Sequence, residues 1–202
     1  MSSPTSGSRP ATSMTEFVRA IRSWHSVAFT ACAGQADRQA CTSREFVESA
    51  ALAIGGYTYS ERFGFPGPAG VGDPLVPSLG TTGWRQVLLD NDNNPARHFI
   101  GWVSAGYNAP DAEAAVASLM IAESAGRPGA SQQDVNAGLL AIELGVGLRT
   151  GNLRGLRPGL ATIETFIIAN VADPTNVTEP AVPRVAISTG ENFGCGLPVL
   201  PC

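Results

Sequence analysis

Asn93-Asn94-Pro95-Ala96-Arg97-His98-Phe99 opens the stretch that decides the fold, residues 90–149. Asn94 reads as a helix N-cap and Pro95 as the first helical residue, where the missing N–H removes no hydrogen bond. Apolar and small residues then recur at helical spacing, which predicts a helix over 95–107. Pro110-Asp111 opens a second helix over 112–125, stopped by Gly126. Ser131 caps a third that runs to about 148 and is closed by Gly151. Many positions in these segments are small. The first carries Gly101, Ala105 and Gly106, and the second Ala112, Ala114, Ala115 and Ala117. The third carries Ala137, Gly138, Ala141, Gly145 and Gly147. Glycine inside a helix costs about 1 kcal/mol relative to alanine, so such a concentration needs a compensating gain. Close helix–helix approach supplies one, and it places the three helices side by side at the centre, running up-down-up.

Working outward, Ser13-Met14-Thr15-Glu16 reads as a capping box for a helix carrying Phe17, Ala20, Ile21, Trp24 and Ala28. Thr42-Ser43-Arg44-Glu45 reads the same way for a second helix with Phe46, Ala50, Ala53 and Ile54, ended by Gly55-Gly56. Residues 57–83 are rich in Gly and Pro and form an irregular loop. Gly83-Trp84-Arg85-Gln86-Val87-Leu88-Leu89 is a short apolar piece of one or two helical turns. A last helix covers 159–169. Beyond it, prolines at 174, 180, 183, 198 and 201 forbid long helices, although residues 182–188 are compatible with one short strand. The predicted fold class is all-α. It is a compact helical bundle over 13–170, with a disordered tail at 1–12 and an irregular tail at 171–202 wrapping the domain.

Composition narrows the function. Hydrophobic residues make up 44% of the 202, enough for a real core. The net charge of −4 leaves no electrostatic footprint for nucleic acid, so no such partner is expected. No run of 18 apolar residues occurs, so no membrane span is predicted. All 13 basic residues are arginine. With Ala and Gly also abundant, this reads as compositional bias, and it excludes lysine Schiff-base chemistry. The four cysteines, Cys32, Cys41, Cys195 and Cys202, lack CxxC spacing, which argues against zinc. Disulfides within each pair, bridges between the pairs, and free thiols all remain open. Paired cysteines favour an exported protein.

One of the two histidines, His98, falls in the first turn of its helix. Glu123 falls in the last turn of the next helix, and Asp134 and Asn136 near the start of the third. In up-down-up geometry all four converge at one end of the bundle. His98 with a carboxylate makes an acid/base pair. One His with Glu and Asp has the donor types of a divalent-metal site, although no metal is assigned, and no cofactor is identified. Arg97 and Trp102 are the candidate substrate-binding residues. The competing reading is a structural polar network, since Asp134 at the third helical position stabilises a helix start without any catalytic role. Asp90-Asn91-Asp92-Asn93 lacks the Gly and distal Glu of a calcium loop. Asn176-Val177-Thr178 is a glycosylation sequon. His25, beside Trp24, reads as a core or surface histidine.

The pattern Arg97-His98, Glu123, Asp134-Val135-Asn136 resembles uncharacterised bacterial all-α domains with an RH…E…DxxN pattern, some found at the C-termini of polymorphic-toxin proteins. In those domains an Asn-Asn pair often follows the Asp, and Val135-Asn136 departs from it. The resemblance marks the positions His98, Glu123, Asp134 and Asn136 without supplying a reaction. The polar cluster itself suggests an enzyme-like domain, a hydrolase or exported effector, with His98 as general acid/base, Glu123 as its partner, and Asp134 and Asn136 orienting water, substrate or a metal. A small-molecule or glycan ligand suits paired carboxylates. The alternative is a disulfide-stabilised binding or structural module. Its recognition surface would be the 57–83 loop, with Tyr57, Tyr59, Phe63 and Phe65.

Overall fold

Helix α1 (Ser13–Ala31) turns Met14, Phe17, Ile21, His25 and Ala28 inward at intervals of three and four, the spacing of one helical face. The computed structural model describes residues 13–56, 79–89, 94–123 and 131–175. In order, these hold α1, α2 (Arg38–Ala50), a 3-10 turn (Gln86–Leu88), α3 (Pro95–Asn108), α4 (Ala112–Ala122), α5 (Gln132–Thr150) and α6 (Leu160–Asn170). Among the described residues the fold is all-α, as expected, and the only extended pairing is two isolated bridges, Trp84 to Ala172 and Leu153 to Leu156. The 1–12 tail, residues 57–78 of the loop, the 90–93 segment, residues 182–188, the sequon and Cys195–Cys202 lie outside the described residues.

The caps of α3, α4 and α5 form as the sequence predicts. Asn94 accepts from the Arg97 amide, Asp111 from the Ala114 amide and Ser131 from the Asp134 amide. Gly151 adopts the left-handed conformation that ends α5. Two starts differ from expectation. The second helix begins four residues before Thr42, with Asp37 as N-cap accepting from Ala40. Thr42 and Ser43 lie buried inside it, and the Thr42 hydroxyl donates back to the Arg38 carbonyl. Proximity of Cys41 to Cys32, bonded at 1.99 Å, brings the turn forward. At α1 the Ser13 hydroxyl donates to the Thr82 carbonyl, which also accepts from the Met14 amide, and Glu16 pairs with Arg19. A long-range bond to the returning loop thus replaces the local capping box. The piece at 83–89 contains a single 3-10 turn, flanked by extended backbone at Arg85 and Leu89.

The centre is the α3–α5 pair. A Cβ on Gly106 would lie 2.6 Å from the Ile142 carbonyl oxygen, and one on Gly145 would strike the Val103 carbonyl and the Tyr107 amide. Backbone meets backbone there, so the glycines are required by approach. Gly106 faces Ile142, and His98 contacts Asp134, an offset of 36 residues in both cases (142 − 106 and 134 − 98), so the two helices run parallel. Helix α4 returns between them in sequence, yet it covers their flank rather than sharing the centre. It seats Leu119 over Gly138 and buries Ala115 and Val116, while Met120 and Ile121 stay exposed. This corrects the expectation of three equivalent central helices. Alanine makes α4 thin, and of its long apolar side chains Val116 and Leu119 turn inward while Met120 and Ile121 turn outward.

Around α3 and α5 the core gathers Phe17, Trp84 and Phe99, whose ring centroids lie 5.1–6.2 Å apart in tilted and edge-on arrangements. Helix α2 continues into a π-helical turn (Ala51–Gly55), which Gly56 closes in the left-handed conformation. Helices α1 and α2 form a hairpin tied by Cys32–Cys41 at its tip.

Two outcomes test this packing. Gly145→Ala is expected to destabilise the protein by about 1–3 kcal/mol through backbone displacement, and a Gly145→Ser variant by at least as much, in denaturant titrations, whereas Gly159→Ser, with open space around its Cβ at the α6 N-cap, should cost less than about 0.5 kcal/mol. Equal effects at both positions would rule out the close α3–α5 approach. Reduction of the Cys32–Cys41 bond, which closes a separation of 9 residues, should cost about 2–3 kcal/mol in the same titration.

Candidate functional site

Parallel α3 and α5 bring their N-termini to the same end of the bundle, and with them His98 and Asp134. Two contacts join these residues. His98 Nε2 lies 3.1 Å from the Asp134 carbonyl oxygen, and His98 Nδ1 lies 3.8 Å from Asp134 Oδ1. A carbonyl only accepts, so the first contact requires the proton on Nε2 and leaves Nδ1 facing the carboxylate. The other carboxylate oxygen of Asp134 accepts from the Ser131 hydroxyl at 2.9 Å, and that hydroxyl accepts from the Asp134 amide at 3.0 Å. The Trp102 ring meets the imidazole at 6.4 Å, inclined 61°. Asn136 donates to the Val87 carbonyl at 3.2 Å and accepts from Gln132 at 3.1 Å, which ties the 3-10 turn to α5. His98 and Asp134 thus link α3 to α5, and Asn136 separately links α5 to the segment before α3.

The remaining predicted residues occupy different roles. Glu123 is the C-cap of α4 and half-buried. Among the described residues no hydrogen bond or ion pair to its side chain joins it to His98. Arg97 lies exposed beside His98, with its amide held by Asn94. Trp102 is half-buried and packs against both apolar clusters of the core. Among the described residues no three His, Cys, Asp or Glu side chains lie close enough to hold a metal ion.

Sequence reasoning passed over a second set of polar residues, and these are the more deeply paired. Glu143, in the middle of glycine-rich α5, is buried and receives both Nε (2.5 Å) and Nη2 (2.8 Å) of Arg154. The third arm of the same guanidinium donates to Asn170 Oδ1 at 3.1 Å, and the group sits 5.0 Å from the Phe166 ring centre. Its hydrogen bonds to Glu143 push the Arg154 pKa further above the ordinary arginine value. Arg154 has φ +51 and Gly155 φ +81, between mutual hydrogen bonds of Leu153 and Leu156, the requirements of a type I′ turn. An arginine in the left-handed region carries about 1–3 kcal/mol of strain, which this network of bonds holds in place. The available signal was Glu143 itself: a carboxylate flanked by Ile142 and Leu144 in a helix apolar all round must be paired when buried.

A similar fork operates between α1 and α6. Arg22 donates to both oxygens of Glu164, at 2.8 and 3.1 Å, with the carboxylate buried and the guanidinium exposed. His25, one turn further along α1, is buried against the Phe46 ring at 5.7 Å. Burial pushes its pKa below the ordinary histidine value, and the nearby Glu164 charge opposes this only in part. It is a core histidine, the buried one of the two placements, core or surface, that the sequence allowed. Two buried carboxylates thus meet bidentate arginine forks, a geometry lysine does not offer. This is a use for arginine that composition alone did not reveal.

Arg154→Met, which keeps the bulk and removes the charge, is expected to destabilise the protein by about 2–4 kcal/mol because Glu143 is left buried without its partner. The double variant Arg154→Met with Glu143→Leu should recover a large part of that loss in thermal unfolding. A double variant no more stable than the single would show that the turn, not the uncompensated charge, dominates.

No family model, curated protein or solved structure matches this chain, so its function is argued from its own side chains.

Proposed function

We propose that this chain is a disulfide-stabilised helical binding module, and that its His98–Asp134 cluster sets helix register rather than turning over a substrate. The observation that carries this reading is that one imidazole turns both nitrogens toward one residue, with Nε2 hydrogen-bonded to its main chain. A histidine working as general base gives one nitrogen to a carboxylate and keeps the other for the reacting proton. Here Nε2 is given to the Asp134 main chain and Nδ1 faces the Asp134 side chain. Register is what such a contact specifies, because a slip of one helical turn between parallel helices would separate the groups and leave them buried without partners.

The binding surface in this reading is the aromatic loop, residues 57–83. Its flanks are anchored: Gly56 closes the π-helical turn, and Thr82 accepts two hydrogen bonds from the start of α1. Between these anchors the sequence carries Tyr57, Tyr59, Phe63 and Phe65. Aromatic rings with hydroxyl tips suit the apolar faces and hydroxyl rims of a glycan, the ligand class we assign. The Cys32–Cys41 bond supports work in oxidising surroundings, and hence an exported protein.

The test separates this reading from the hydrolase or exported-effector reading. His98→Ala is expected to lower stability by about 1–3 kcal/mol, since the Asp134 groups lose their partner. Tyr59→Ala with Phe63→Ala should leave the melting temperature unchanged and remove oligosaccharide binding measured by calorimetry. An unchanged melting temperature in His98→Ala, together with glycan hydrolysis by the wild-type chain that this variant loses, would establish the enzyme instead.

A further inference from the structure

Helix α4 is apolar nearly all round, and the described residues cover only one side of it. Between Ala112 and Ala122 it carries one charged residue, Glu113. Ala115, Val116 and Leu119 are buried in a cluster with Ala109, Leu139 and Ile142. On the other side Glu113, Ala117, Met120 and Ile121 are exposed, Ile121 by 67%. Their spacing of three and four residues makes them one stripe, about 12 Å long at the helical rise per residue. A helix apolar on all faces belongs in an enclosed position, so this stripe is a face in want of a cover. A second copy of the chain covers it poorly. Two long side chains and an alanine fall far short of the roughly 800 Å² per partner of a stable interface.

The chain itself offers a cover that starts nearby. The last described residue is Thr175, and the exit there is anchored: the Asp173 amide donates to the Gly83 carbonyl at 2.8 Å, and Asp173 Oδ1 accepts from the Thr175 amide and hydroxyl. Four residues after Gly83, the Val87 carbonyl accepts from Asn136 at the start of α5. Two residues further along α5, Gly138 lies under Leu119 of α4. Gly83 to Val87 is about 14 Å of chain at full extension, and packed helices lie about 10 Å apart, so about nine extended residues lead from Thr175 to the stripe. Nine residues on is Arg184, the single cation of 176–202. It lies within an apolar run, with Ala181, Val182 and Pro183 before it and Val185, Ala186 and Ile187 after it. From Arg184 to Ile187 is about 10 Å of extended chain, close to the length of the stripe. The other segments outside the described residues fit less well. Residues 1–12, 90–93 and 124–130 carry no long apolar side chain beyond Met1, and 57–78 is tied at both ends, with Gly80 against Ser13, while its one cation, Arg62, adjoins Glu61. We propose that residues 181–187 cross the outer face of α4, with Arg184 paired to Glu113 and Val182, Val185 and Ile187 covering Ala117, Met120 and Ile121. The single charge of the stripe then meets the single cation of the segment, and the apolar side chains on both leave water together.

Photocrosslinking in the full chain identifies the cover. Ile121→benzoylphenylalanine places the reactive group on the stripe without touching the core, and the linked peptides are read by mass spectrometry after irradiation of the dilute protein. The expected product is a link within one chain to residues 181–187, and the same label at Met120 should find the same peptide. Arg184→Glu should lower the yield of that product by about two- to fivefold, and adding Glu113→Arg to it should restore the yield. Links to 57–78, links between two copies, or no link to 181–187 would each overturn the proposal, as would an Arg184→Glu yield equal to that of the unaltered segment.

Discussion

The contact between the α3 and α5 backbones at Gly106, Ile142, Gly145 and Val103 is the constraint on which the other features depend. Helices whose axes approach this closely have little freedom to slide or rotate, because each missing side chain is matched to a carbonyl or amide on the other side. That fixed relation sets the two N-termini level, and levelness makes the His98–Asp134 contact possible. It also presents the opposite ends of both helices to α2 and to the turn that carries Arg154. The glycines cost helix propensity, and the dispersion and burial gained at such short range offset that cost.

A close-packed apolar pair needs polar groups to say which of several similar registers is correct. In the reading proposed above, the domain has two such devices at different depths. The His98–Asp134–Ser131 seam works at the N-terminal end through hydrogen bonds to cap residues. The Glu143–Arg154–Asn170 network works along α5 through a bidentate ion pair and a left-handed turn residue. Each of them is local in space and distant in sequence from at least one partner, so each resists a different slip. Buried charge pairs add little net stability, but they penalise any arrangement that separates them.

How much of this was legible in the sequence varied with the range of the interaction. Caps at Asn94, Asp111 and Ser131 and stops at Gly56 and Gly151 were readable, because a cap acts within four residues. The small-residue helices also pointed correctly to close approach. The start of α2 was misplaced because Asp37 competes with Thr42-Ser43 for the cap, and the contact of Cys32 with Cys41 settles the competition. Ser13 was misread for a similar reason: its hydroxyl prefers Thr82, a residue 69 positions away, over a local amide. Of the proposed polar site, His98 meets Asp134, while Asn136 bonds to Gln132 and the Val87 carbonyl. Glu123 ends α4 without a hydrogen bond to His98 among the described residues, since α4 lies on the flank of the central pair.

By itself the sequence determined the all-α class, the order and limits of most helices, and the closeness of the central pair. Period, caps and residue size act over one or two turns, and they are written out in neighbouring residues. Only the tertiary structure decided that α3 and α5, not three equal helices, form the centre. It alone paired Glu143 with Arg154 and Glu164 with Arg22, and turned both nitrogens of His98 toward one residue. Those outcomes depend on which surfaces meet after the chain has closed on itself, where a shift of one helical turn changes every partner while leaving every local preference satisfied.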